Sequence, residues 1–93
     1  MISIDRKDIF RAIEFERERQ DHKHPIPWNK SVGNEEIDAM AHYINTTEML
    51  AILVEEVGEV ASAIQGDGDL VEELTHVAAV CVRWLEHMKK TPY

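Results

Sequence analysis

Two acidic clusters carry most of the residue types able to do chemistry, Glu55-Glu56-Val57-Gly58-Glu59 and Glu72-Glu73-Leu74-Thr75-His76. Carboxylates at this density, joined by an imidazole, are donors for divalent cations: oxygen for Mg²⁺, oxygen with nitrogen for Mn²⁺, Zn²⁺ or Ni²⁺. Whether they act together depends on where helical geometry points them. At about 100° per residue, Ile52, Met49, Val60 and Ala63 fall within about 40° of Glu56, and Leu53, Ile64 and Val57 extend that apolar arc. Glu56 therefore sits in an apolar face. Glu59 lies at its border, about 60° away, while Glu55 and Glu48 turn further towards solvent. With Glu73 as origin, Val80, Trp84, Val77 and Leu70 surround it, and His76 takes the border position that Glu59 holds on the other helix. An acidic pair on a helix ordinarily marks a solvated face, and Glu56 is on the wrong side for that. A carboxylate facing a core must be neutralised, paired or coordinated, because leaving it desolvated and alone is costly. No Lys or Arg lies between Glu48 and His76. A cation from outside is then a natural partner, and Glu56 and Glu59 facing Glu73 make an oxygen-rich pocket suited to Mg²⁺.

The elements that position these groups read as helices, and strict apolar/polar alternation is hard to find, so the fold class is all-α. A first helix runs from about Asp5 to Asp21 after a possible cap at Ser3. Pro25 and Pro27 forbid its continuation, and His24 to Gly33 is a loop. Asn34 caps a second helix beginning at Glu35, which either bends near Asn45-Thr46-Thr47 or runs straight on to Gln65. Gly66-Asp67-Gly68 forms a turn, and Asp69 with Glu72 has capping-box spacing for a last helix ending near Lys89, before Thr91-Pro92. The 93 residues make one domain, 1–93, and 44% apolar with 30% charged residues supply both a core and a soluble surface. The formal charge of −8, with no basic run to offset it, excludes nucleic acid and anionic membrane as first partners. The longest apolar runs, Met49 to Val54 and Val77 to Val82, are far short of the ~20 residues of a membrane helix, and the amino terminus lacks a signal-peptide layout. The expected location is the cytoplasm. Cys81 is the single cysteine, so no internal disulfide forms. On the last helix apolar side chains run from Val80 through Val77, Cys81, Leu85 and Ala78 to Val82, about half the circumference. That is more than one neighbour covers, and it predicts a homo-oligomer, dimer or tetramer.

From about Leu50 to Leu85 the chain resembles the MazG-like all-α nucleoside triphosphate pyrophosphohydrolases. Glu55-Glu56-Val57-Gly58-Glu59 reads as their E-E-x-x-E helix motif, followed by Glu72-Glu73-Leu74 on a second helix. Glu16-Arg17-Glu18-Arg19-Gln20-Asp21-His22-Lys23 also looks like the start of small members of the group. The resemblance implies a helical bundle of that type, completed by oligomerisation. It implies cleavage of a nucleoside triphosphate between its α and β phosphates, giving a monophosphate and pyrophosphate. Acids matching Glu56, Glu59 and Glu73 would hold Mg²⁺, with Mn²⁺ an alternative. The family's second motif, E-x-x-D, here reads Glu73-Leu74-Thr75-His76, and imidazole suits Mn²⁺, Zn²⁺ or Ni²⁺ better than Mg²⁺.

Within that chemistry Glu56 is a metal-bound carboxylate at the catalytic centre, and Glu55 is a general base, a supporting acid or a bystander. Arg19, Lys23, Lys30 and Arg83 are candidates for phosphate contacts, against the plainer reading of each as a surface charge. Trp28 either stacks on a base or plugs a core edge, and Trp84 packs. His22, His24 and His42 read as solvent-facing, while His87 shares the side of His76 but lies roughly 16 Å along the helix. Two rival functions stand beside the hydrolase. One is a catalytically degenerate helical oligomerisation module. The other is a di-iron four-helix-bundle dimer, in which two copies each supply Glu56 and the Glu73/His76 pair.

Overall fold

The computed structural model describes residues 5–23 and 33–90, which form three helices: α1 (Arg6–Lys23), α2 (Glu35–Ile64) and α3 (Leu70–Lys90). No strand occurs among the described residues. Ser3, the loop residues His24, Trp28 and Lys30, and Thr91-Pro92 lie outside the described residues, as does the side chain of His42. Polar side chains set the helix starts. Asp5 accepts from the backbone of Asp8 at 3.0 Å while Asp8 accepts from that of Asp5 at 3.4 Å, so the cap of α1 sits at Asp5. Asn34 Oδ1 accepts from Ile37 N at 3.1 Å and starts α2 where its sequence places it. Asp69 Oδ1 accepts from Val71 and Glu72 at 2.9 and 3.2 Å and starts α3.

α2 does not end at Asn45-Thr46-Thr47: its 30 residues form one unbroken helix, a rise of about 45 Å. Asn45 is only 2% exposed and Thr47 is exposed, so the polar stretch spans the inner and outer sides of a continuing helix. The end of α2 is a Schellman motif, with Gly66 N donating to Ala63 O at 3.0 Å and Asp67 N to Ser62 O at 3.0 Å. Gly66 has φ +92°, the left-handed region. Gly66→Ala is therefore expected to cost about 1–2 kcal/mol in urea unfolding without altering any side chain of the cleft.

α3 packs against both other helices, whereas α1 and α2 do not pack on each other. The short turn makes α2 and α3 an antiparallel hairpin. α1 runs parallel to α3: Ile9 and Ile13 line one groove with Val71, Leu74 and Ala78, and Arg17 reaches Glu86 with Nε at 3.0 Å. Two neighbours cover part of the apolar breadth of α3, while Val71, Leu74 and Leu85 stay exposed. Ala79 and Val80 are buried and Val82 is half-buried. The uncovered apolar surface lies mainly elsewhere, on the outer side of α2 and on Phe10 and Phe15 of α1. The radius of gyration is 15.6 Å, against roughly 12 Å for a closed globule of this length, and the extents are 56 × 28 × 20 Å. No helix among the described residues is long and apolar enough to cross a membrane.

Candidate metal centre

Because α1 and α2 each pack only on α3, a cleft of 420 Å³ opens between them with α3 as its floor. Met49, Ile52 and Val80 give it an apolar wall, and Glu16, Arg19, Glu55, Glu56, His76 and Arg83 its polar lining. Two of its lining residues, Glu56 and His76, cluster with the neighbouring Glu73, which does not itself line the cleft, and their donor atoms all lie within 4.8 Å of one another. The antiparallel α2–α3 hairpin produces this meeting, since residues at similar distances from the turn face each other. His76 Nδ1 lies 3.3 Å from Glu73 Oε2 and 3.7 Å from Glu56 Oε2. Its other nitrogen, Nε2, lies 3.6 Å from Glu16 Oε1 and 3.8 Å from Glu72 Oε1.

The electrostatics divide by partner. Burial pushes the Glu56 carboxyl above the usual range, and the nearby carboxylates of Glu73, Glu55 and Glu59 reinforce this against the pull of His76. The buried Oε2 of Glu56 has no hydrogen-bond partner. Glu16 behaves oppositely. Arg19 donates to both its oxygens at 2.7 Å and holds its carboxyl below the usual range. Burial, with the neighbouring Arg17, moves the Arg83 guanidinium down from its ordinary value.

Two carboxylates and an imidazole in one pocket, with a buried oxygen lacking a donor, fit a divalent cation, and the mixed donor set favours Mn²⁺, Zn²⁺ or Ni²⁺ over Mg²⁺. Glu59 is not brought into this set. It is exposed on α2 and touches the site only through its charge on Glu56. Glu55 is exposed yet lines the cleft, Arg19 stands at its edge paired to Glu16, and Arg83 is buried in it. Lys23 is exposed at the end of α1 and does not line the cleft.

The residue that sequence reasoning passed over is Glu16, 7% exposed. A signal for it existed: Ile9, Ile13, Glu16 and Gln20 recur at three- and four-residue intervals, so the narrow inner face of α1 continues into two polar groups. That is the same misplacement that singles out Glu56. No family model matches this chain, and no curated protein or solved structure matches it either.

Proposed function

We propose that the chain is a divalent-metal-dependent nucleoside triphosphate pyrophosphohydrolase that releases a nucleoside monophosphate and pyrophosphate, and that it acts as a homo-oligomer. The observation that carries this is the cluster of Glu56, Glu73 and His76, two of whose members, Glu56 and His76, line a cleft large enough for a small ligand. The likeness of Glu55-Glu56-Val57-Gly58-Glu59 to the E-E-x-x-E motif supplies the reaction class. A divalent cation held by these residues would offset phosphate charge and lower the pKa of a bound water. The chain's own groups do the rest. Among the described residues, Arg19 and Arg83 are the cationic side chains that line the cleft, and with them this acidic protein would meet the phosphates of a polyanion. The Glu55 carboxylate, at the rim and in reach of water, serves as the proton acceptor for the attacking oxygen. Met49, Ile52 and Val80 dry the wall behind the phosphates and strengthen each of these interactions.

A panel of ordinary and modified triphosphates, scored for pyrophosphate with Mn²⁺ or Mg²⁺, tests the reading. Wild type is expected to turn over on the order of tenfold faster with Mn²⁺, and His76→Asp to shift the preference towards Mg²⁺. No pyrophosphate from either protein would leave the helical oligomerisation module. Tightly held iron with an oxo-bridge absorption would instead favour the di-iron bundle.

A further inference from the structure

His76 is held between two sets of carboxylates from three helices. Nδ1 faces Glu73 and Glu56, the residues assigned to the cation, and Nε2 faces Glu16 and Glu72. Of the second pair, Glu72 has a side chain 64% exposed and is shared with solvent, whereas that of Glu16 is 9% exposed. An imidazole gives one nitrogen to a cation only while the other keeps the proton. A carboxylate at that other nitrogen fixes the tautomer and makes the ligating nitrogen more basic. Glu16 itself is fixed by Arg19, whose Nε and Nη2 each donate to one of its oxygens at 2.7 Å. The buried Gln20, on the same inner face of α1, adds a side-chain hydrogen bond to Glu16, and the charge of the Glu16 carboxylate faces His76.

We infer that Glu16 is a positioning residue for His76: its carboxylate, 3.6 Å from Nε2, favours the tautomer with the proton on that nitrogen and thereby presents Nδ1 to a cation shared with Glu56 and Glu73. The inference rests on the proposed metal centre. It gives α1, which supplies no donor to the Glu56–Glu73–His76 set, control over how tightly that set binds, and it makes Arg19 part of the same chain of contacts.

The test is Mn²⁺ titration of the full chain by electron paramagnetic resonance, with helicity followed by circular dichroism. Wild type, Glu16→Gln, Glu16→Asp, His76→Ala and the double variant Glu16→Gln/His76→Ala are compared. Glu16→Gln is expected to weaken Mn²⁺ binding ten- to hundredfold, Glu16→Asp to restore part of that loss, and the double variant to bind no more weakly than His76→Ala. Unchanged affinity in a fully helical Glu16→Gln would reduce Glu16 to a structural partner of Arg19 and overturn the inference. So would a Glu16→Gln loss of equal size in the His76→Ala background, because Glu16 would then act on the ion directly. A readout free of substitutions is the nitrogen-15 spectrum of the Zn²⁺-loaded chain, where the His76 proton belongs on Nε2, and a proton on Nδ1 overturns the assignment. Wild type that takes up neither Mn²⁺ nor Zn²⁺ would remove the metal centre itself, a failure visible before any Glu16 variant is made.

Discussion

Glu56→Gln is expected to make the metal-free chain more stable while ending pyrophosphate release. Folding places the Glu56 carboxylate beside Glu73 with one oxygen buried and without a donor, so its charged form is disfavoured in the native state. A carboxyl whose folded value is raised contributes fully at pH below its unfolded value, and the contribution is lost as pH rises through the folded value. The neutral amide escapes that loss. The gap between variant and wild type should therefore be absent at low pH, open as pH rises through the Glu56 range, and reach about 0.5–2 kcal/mol, the usual size of a single stabilising change. Glu16 has the opposite sign: lowered by Arg19, it stabilises above its unfolded value and ceases to do so as pH falls through its folded one. Adding Mn²⁺ reverses the ranking. At a hundred times the dissociation constant, wild type should gain about 2.7 kcal/mol and Glu56→Gln almost nothing. Thermal unfolding at fixed chain concentration, in chelator and in Mn²⁺ across pH 4 to 8, reads all of this. A variant less stable than wild type in chelator at neutral pH would show that Glu56 is satisfied without a cation.

The parts of the site that sequence made legible are those joined by short spans of chain. Glu56, Glu73 and His76 sit on two helices linked by a five-residue connection, so helical periodicity and a tight turn suffice to bring them face to face. Glu59 shows the limit of that reasoning. A helical wheel gives its angle from Glu56, but not how wide an arc the neighbouring helix covers, and α3 leaves Glu59 exposed. For Glu16 the spacing within α1 could show the inward face but not the partner, since His76 is sixty residues away and no periodicity within α1 states the register at which α1 lies on α3. The breadth of the apolar surface on α3 was readable, whereas how much of it α1 and α2 cover depended on that same register, and Leu85 stays exposed. The sequence left the course of α2 open because Asn45-Thr46-Thr47 resembles a helix end, and the helix that continues through it decides the matter.

Val54→Lys is expected to break the proposed homo-oligomer. α2 has two apolar sides: one carries Met49 and Ala63, with Glu56, against α3, and the opposite one carries Ile37, Met40, Ile44, Ala51, Val54 and Ala61, all exposed, with the exposed Glu48, Glu55 and Glu59 between them. A second apolar side on a helix calls for a second neighbour. With Thr47 and Gly58 in the intervening places, the outer residues are spaced alternately three and four apart over roughly 36 Å, the pattern by which one helix packs along another. Ala51, Gly58 and Ala61 are small, and no atom lies within 4 Å of a Cβ built on Gly58, so a second backbone can approach closely. The chain's extended shape and its few buried apolar residues, Met49, Ala63, Ala79 and Val80, leave this surface without cover from its own helices. A second copy of α2 would cover it with the same chemistry. Burying an unpaired lysine there should cost about 3–5 kcal/mol, more than a hundredfold in the association constant. Sedimentation over a range of concentrations should show wild type at a multiple of the chain mass and Val54→Lys at the chain mass with its helicity kept. Val71→Lys, equally exposed but on α3 beside α1, is the control. If Val71→Lys dissociates the assembly and Val54→Lys does not, the interface belongs to the α1–α3 groove.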